Sequence, residues 1–404
     1  MKVLVLSSFA YSLTNFRGNL LREIRAQGHE VIAVAPDHDA SVGEELERSG
    51  IGFRVVPMQR ARMSPLSDLR LLLSYIVLML REQPQVVIAY TQKPIVFGGI
   101  AARLLQVPRM YVIMSGLGHV FSPDSGSGRT VRWIVSRLYR MAVLRARSIA
   151  VFNSDDRADM IDNGIISDSH RVVQVPGSGV DLSRFTEAQL PDGGASFLMV
   201  ARLLRNKGIL EFLEAARIVR EAHPDCTFSI LGHLDEQNPQ GITREEMERY
   251  ASEYPVEFIP GTTDVRPYLA ASSVFVLPSY YREGLPRTIL EAMATCRPVI
   301  TTDRPGCRDA VLHGENGLVI PPRDAVALAE AMKRLARDAA LIRKMARSSR
   351  KRAEEVYSDA IVNRQLLEEF DLVGRQALAP ILVAAGAHDL EEGSPTPQSE
   401  AAVK

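Results

Sequence analysis

Short apolar runs rich in Val and Ile recur along the chain, with stretches of helical period between them. Lys2–Leu6, Glu30–Ala35, Gln85–Ala89, Arg109–Ile113 and Arg147–Phe152 form one set. Such near-continuous apolar runs suit strands buried on both faces, and parallel strands need crossover helices between them. The alternation therefore predicts a doubly wound α/β sheet. A second set follows: Ser196–Ala201, Thr227–Leu231, Val256–Ile259, Val274–Leu277 and Val299–Ile300. Between the two sets, Gly177–Asp181 and the Pro-, Gly- and Asp-bearing Arg184–Gly194 read as a linker. At 404 residues, 46% hydrophobic and 24% charged, the chain has room for two soluble domains with ample cores. A polar loop is expected over Ser7–Asn15, then a helix over Phe16–Gln27 closed by Gly28.

Formal net charge is zero, so overall charge names no partner, and nothing points to nucleic acid. Its distribution is uneven: Ile51–Ala150 carries 14 Lys and Arg against 3 Asp and Glu. That basic half suits a membrane surface or an anionic substrate. Three scattered cysteines, Cys226, Cys296 and Cys307, have no metal-ligand spacing and suit a reducing compartment. Met1–Leu6 reads as a first strand rather than a signal peptide. The longest apolar run, Leu71–Leu80, is about half a bilayer span, so no transmembrane helix is predicted. Arg129–Arg147 places six arginines on a helical pattern with Trp133, Ile134, Leu138 and Tyr139. It reads as a basic amphipathic helix on anionic lipid, as a half-buried helix, or as both.

The most informative stretch is Glu283–Asp303, EGLPRTILEAMATCRPVITTD. It reads as a loop with a carboxylate, then a helix with a second carboxylate, then a strand, all after the strand Ser273–Pro278. Pro286 suits the first helical position. A helix N-terminus at the carboxyl end of a parallel sheet favours an anion such as a diphosphate. Glu291, two turns in, would reach a ribose; Glu283 would reach what the diphosphate carries.

This string resembles the nucleotide-sugar site of retaining glycosyltransferases of family 4. The resemblance implies a GT-B fold, two Rossmann-like doubly wound domains facing across a cleft. Residues 1–185 would bind the acceptor and 195–357 the donor, while 358–380 cross back onto the first domain as a helix. The tail, 387–404, reads as disordered from its composition. On the donor side the resemblance implies contacts from Gly284, Leu285, Pro286 and Glu291, with Arg202 and Lys207 of Val200–Gly208 clamping the diphosphate. Fixed cations there offset repulsion between phosphates and the two glutamates. Arg205 matches no family position and is left at the surface. The loop Gly261–Arg266, with Thr262 and Val265, would cradle the base, and Asp264 is also a good N-cap. His119, in the glycine-rich Met114–His119, would reach the donor sugar beside the catalytic Glu283. His29, His223 and His313 read as turn or surface residues.

Asn15-Phe16-Arg17-Gly18 and Thr91-Gln92-Lys93-Pro94 are similar to the branch that extends polyprenyl-diphosphate-linked glycans, such as N-acetylgalactosaminyltransferases. Asn15, Arg17 and Lys93 are then acceptor-binding candidates. The implied reaction moves a sugar, with retention, from a nucleotide-diphosphate sugar (UDP favoured) to a lipid-linked glycan in bacterial surface polysaccharide synthesis. No metal or other cofactor is implied. The implied location is cytoplasmic, peripheral on the inner face of the bacterial cell membrane. Asp37-His38-Asp39 looks like a metal-binding pair but is explained by a polar turn. A nucleotide-sugar epimerase on the same fold and a non-catalytic donor-binding scaffold are the alternatives. A dinucleotide oxidoreductase is disfavoured, because no G-x-G-x-x-G follows the first strand.

Overall fold

The computed structural model describes residues 1–59, 64–117, 119–121, 128–236 and 238–373. Seven parallel strands build the first sheet: β1 (Lys2–Leu6), β2 (Glu30–Ala35), β3 (Gly52–Val55), β4 (Val86–Tyr90), β5 (Arg109–Met114), β6 (Ser148–Val151) and β7 (Val172–Gln174). Their order is β3-β2-β1-β4-β5-β6-β7. Six more build the second: β8 (Ser196–Val200), β9 (Thr227–Gly232), β10 (Glu257–Pro260), β11 (Val274–Leu277), β12 (Val299–Thr302) and β13 (Gly317–Ile320). Their order is β10-β9-β8-β11-β12-β13.

Both sheets reverse direction at the same place. β1 lies between β2 and β4, and β8 lies between β9 and β11. Ligands of open α/β sheets bind beyond the carboxyl ends of strands at such reversals. The loops after β1, β4, β8 and β11 are therefore where a site is built.

One face of the first sheet is covered by the helices Pro65–Glu82, Gly99–Leu104 and Arg129–Val143, through Leu71, Tyr75, Ile100, Tyr139 and Val143. The other face is covered by Gly18–Ala26, Ala40–Arg48 and the helix Asp359–Glu369. That last helix returns from the second domain. It buries Val362, Leu366 and Leu367, and Phe370 just beyond it stacks on Tyr111 at 4.5 Å. Where the chain crosses out and back, the two segments pair. Val180 N donates to Tyr357 O at 2.8 Å, and Asp359 N donates to Val180 O at 3.0 Å. Gly179 lies in the left-handed region at φ 69°, and a Cβ there would sit 2.5 Å from Asp359 Cα, so only glycine admits this pairing.

Several elements differ from the sequence reading. Ser7–Asn15 is not all loop: Ala10–Asn15 is a helix, because Asp37 accepts the Ala10 N–H at 3.0 Å and Leu13 is buried. Phe16 and Arg17 then separate it from the helix Gly18–Ala26. Pro286 is the N-cap, not the first helical residue, since its ψ is 116°. The returning helix ends at Glu369, and residues 374–380 of the expected span lie outside the described residues. The tail 387–404 lies outside the described residues.

Candidate donor and acceptor site between the domains

Lys207 is fixed by its neighbour Gly208. That glycine sits at φ 85°, and a Cβ on it would lie 2.2 Å from Pro278 O. The close approach brings the short turn Arg205–Lys207 against the end of β11. There the Lys207 ammonium forms an ion pair with Glu283, both side chains nearly buried. Ser279 Oγ donates to the same carboxylate at 3.1 Å, and the Tyr281 ring lies 5.6 Å below the ammonium. The sequence reading placed this cation on the phosphates and this carboxylate on the sugar. The structure makes them each other's partner.

Arg202 stands at the mouth, 60% exposed, with Nη1 3.0 Å from Asp235. Arg205 is more than a surface residue. It binds both Glu246 oxygens at 2.6 and 2.7 Å, and Glu246 closes the capping box of the helix Arg244–Glu253.

Glu291 lies in the second turn of the helix Arg287–Ala294 and is 8% exposed. Burial raises its pKa, opposed by the Arg287 guanidinium, whose Nε donates to it at 2.9 Å. Arg287 also lies 5.1 Å over the Phe16 ring of the first domain. Arg184, from the linker, donates to Asn15 Oδ1 at 2.9 Å. Asn15, read as an acceptor residue, is thus bonded to Arg184, and its neighbour Phe16 lies under Arg287, the partner of Glu291. The Arg17 guanidinium is buried between the Tyr90 and Phe152 rings at 5.5 and 5.7 Å. Burial lowers its pKa to about 10, and Nη1 has no hydrogen-bond partner among the described residues. A cavity of about 220 Å³ opens here, with Asn15, Phe16, Arg184, Arg287 and Asp359 in its wall. Lys93 is held elsewhere, by Asp68 at 2.6 Å.

The loop after Glu283 is pressed against the first domain. A Cβ on Gly284 would lie 2.5 Å from Ser115 O, and Asn153 Nδ2 donates to Gly284 O at 2.8 Å. Leu285 packs against the cores of both domains, and Pro286 caps the helix behind it. Flanking this seam, Asp159 pairs with Arg282 at 2.7 Å and Asp155 with Arg308 at 2.6 Å. Asp156, buried beside them, has its pKa pushed up to about 7 by burial and then by the Asp159 charge.

In the loop Gly261–Arg266, Thr262 Oγ1 accepts from Asp264 N at 3.1 Å. The N-cap of the helix Arg266–Ala270 is Val265, not Asp264. Asp264 instead grips the Arg266 guanidinium at 2.7 and 2.8 Å, which holds its pKa down at about 2. His233 lies over Gly261, where a Cβ would come within 2.4 Å of the ring. His119 opens a short turn, His119–Phe121, and its side chain lies outside the described residues. His29 is buried rather than at the surface, with Nε2 3.0 Å from Leu372 O. Asp37 and Asp39 each take helix-end N–H groups, of Ala10 at 3.0 Å and Ser41 at 3.0 Å. Arg184, Arg287, Asn153 and His233 escaped the sequence reading. Only Arg287 carried a signal, one helical turn before Glu291.

Residues 194–338 match the family described as glycosyl transferases group 1, and residues 14–177 match the glycosyl transferase 4-like domain. Over 386 residues the chain is 24% identical to N,N'-diacetylbacillosaminyl-diphospho-undecaprenol alpha-1,3-N-acetylgalactosaminyltransferase of Campylobacter jejuni, covering 92% of this chain and 99% of the relative. It is 27% identical to UDP-Gal:alpha-D-GlcNAc-diphosphoundecaprenol alpha-1,3-galactosyltransferase of Escherichia coli, covering 71% and 75% respectively. Among solved structures, Anabaena HepE in complex with UDP-glucose aligns with a TM-score of 0.73 over 91% of this chain and 98% of that one, at 19% identity.

Proposed function

Since the chain belongs to the glycosyltransferases, with a 4-like domain followed by a group 1 domain and the GT-B fold, we propose that it moves a sugar from a UDP-sugar to a polyprenyl-diphosphate-linked saccharide. The product would enter a bacterial surface polysaccharide. Relatives in Campylobacter jejuni and Escherichia coli are named for that class of acceptor. The observation that carries the reading is that the segments after β8 and β11, at the second sheet's reversal, pair Lys207 with Glu283 and Arg287 with Glu291, with Arg287 lying over Phe16, between Asn15 and Arg17 in the chain.

The chemistry follows from these groups. Lys207, Arg202 and the N-terminus of the helix Arg287–Ala294 meet the charge that builds on the leaving diphosphate, which lowers the barrier without a metal. Glu291 accepts from the ribose hydroxyls. Glu283, oriented by its ion pair with Lys207, accepts from hydroxyls of the sugar being transferred. No carboxylate is assigned as a nucleophile on the opposite sugar face. The acceptor hydroxyl therefore attacks from the side the diphosphate leaves, the C1–O bond to phosphate breaks as the new C1–O bond forms, and a phosphate oxygen takes the proton. The anomeric configuration is retained.

No helix among the described residues is long and apolar enough to cross a bilayer. Attachment to the inner leaflet would use the helix Arg129–Val143. Its Arg129, Arg137 and Arg140 are exposed and Arg132 is half-buried, while Arg137 lies 5.4 Å over the Trp133 ring. The deciding experiment is acceptor-dependent turnover of a panel of UDP-sugars on a polyprenyl-diphosphate sugar in EDTA, with NMR of the product linkage. Release of free sugar or epimer with no acceptor product, inversion at C1, or rescue by manganese would each refute part of the reading.

A further inference from the structure

The helix Pro65–Glu82 carries an apolar stripe that the fold leaves uncovered. Leu66, Leu69, Leu73, Val77 and Leu80 are between 52% and 83% exposed. At 100° per residue they share an arc of about 80°, opposite the buried Leu71, Tyr75, Leu78 and Met79, and run about 21 Å along the axis. A monomer seldom exposes so continuous an apolar line without a use for it.

The stripe is one edge of a wider face. The helix packs against Gly99–Leu104, which packs against Arg129–Val143, all on the same side of the first sheet. Leu104, Trp133, Ile134, Met141 and Leu144 are exposed on these neighbours. Charge on the face has one sign. Arg70 and Arg81 are exposed along one flank of the stripe, and Arg137 and Arg140 on the far helix. The carboxylates of the three helices are withdrawn: Asp68 binds Lys93, and Glu82 is buried with Lys2 and Arg54.

We propose that this stripe is a bilayer-inserting edge, lying in the plane of an anionic membrane with its leucines below the headgroups and its arginines among them. Helices of this pattern sink an apolar face about 5–10 Å into the headgroup–acyl boundary. The charge pattern selects the occupant. A second copy set against this face would bring arginine against arginine, whereas anionic lipid meets both the leucines and the arginines. The placement also serves the acceptor. Asp68, in the first turn of this helix, holds Lys93 at 2.6 Å, so the loop after β4 that would take the acceptor is tied to the membrane-facing element. This rests on the membrane part of the proposed function but differs in kind. Attachment by arginines alone is screened within a Debye length of about 8–10 Å, and an inserted stripe is not.

The test uses the full chain with Leu73→Cys carrying an environment-sensitive fluorophore. The three native cysteines are buried, which directs the label to position 73. Vesicles of phosphatidylcholine with phosphatidylglycerol should blue-shift the dye, acyl-chain spin labels should quench it, and part of the signal should survive 0.5 M salt. Replacing Leu69, Leu73 and Val77 together by Ser should lower vesicle partitioning at least about tenfold, with turnover on a water-soluble acceptor analogue unchanged. If the protein sediments with vesicles but the label is silent, the stripe is not inserted, and the inference fails while the arginine reading stands. If nothing sediments even at low salt, both fail. If the label shifts without vesicles as protein concentration rises, and the triple variant changes the elution volume, the face is a protein interface and the inference is overturned.

Discussion

Substitution of Gly284 by Ala isolates the seam between the domains. The new Cβ would lie 2.5 Å from Ser115 O, where ordinary contact begins near 3.4 Å. The loop must therefore retreat by about 1 Å, because its obstacle is backbone rather than a flexible side-chain end. The Asn153 bond to Gly284 O, now 2.8 Å, would be lost or weakened, at about 1 kcal/mol. Glu283 is the next residue and moves with the loop. A misplacement of about 1 Å costs roughly a hundredfold in rate, or about 2.7 kcal/mol of barrier. Nucleotide binding should be spared, since Arg202, Lys207 and Glu291 all belong to the second domain. The expected result is kcat down about a hundredfold, with UDP affinity by calorimetry within threefold of wild type. Gly43→Ala is the control. Its Cβ meets only Phe53 at 3.7 Å, in the helix Ala40–Arg48, so kcat should hold and stability rise by about 0.5–1 kcal/mol. A Gly284→Ala enzyme with normal kcat would mean that the seam does not place Glu283.

Glu291→Gln should weaken UDP binding by about 1.5–3 kcal/mol, the worth of charged hydrogen bonds; unchanged affinity in a thermal-shift titration would remove Glu291 from the donor site. Asp156, whose pKa is raised from 3.8 to about 7, should lower stability as pH rises, because the folded state binds the proton more tightly than the unfolded chain between those values. Asp156→Asn should therefore exceed wild type in stability by at least about 1 kcal/mol at pH 8, with the gap closing towards pH 4, one pKa unit being about 1.4 kcal/mol; parallel Tm curves would refute this. Arg297 is wholly buried and donates to five carbonyls, of Leu269, Ala270, Ala188, Gln189 and Cys296, at 2.7–3.1 Å. Arg297→Met strands those oxygens and should cost about 3–5 kcal/mol in urea denaturation; an unmoved midpoint would show that the carbonyls find other donors.

The central strands of both sheets were legible because burial on two faces writes itself as unbroken apolar runs. β3, β7 and β13 were not, and each is an edge strand of three or four residues. The string from Glu283 to Glu291 announced strand, loop and helix. It did not announce that Lys207 would pair with Glu283, which depends on Gly208 meeting Pro278 from a distant part of the chain. Arg184, Asn153 and the burial of Arg17 depend on how the domains meet, which no local pattern encodes. Lys93 was legible as a cation but not as the partner of Asp68.

The helix Asp359–Glu369 has a consequence for synthesis. The first domain's last strand ends at Gln174, yet the helix that covers Tyr111 and its neighbours leaves the ribosome about 200 residues later. At ordinary elongation rates that is a wait of about 10–40 s. Throughout it, one face of the earliest-made sheet stands open while the later domain can already close. A chain cut between Tyr357 and Phe370 should therefore lose the cooperative unfolding of its first half, not of the half nearest the cut.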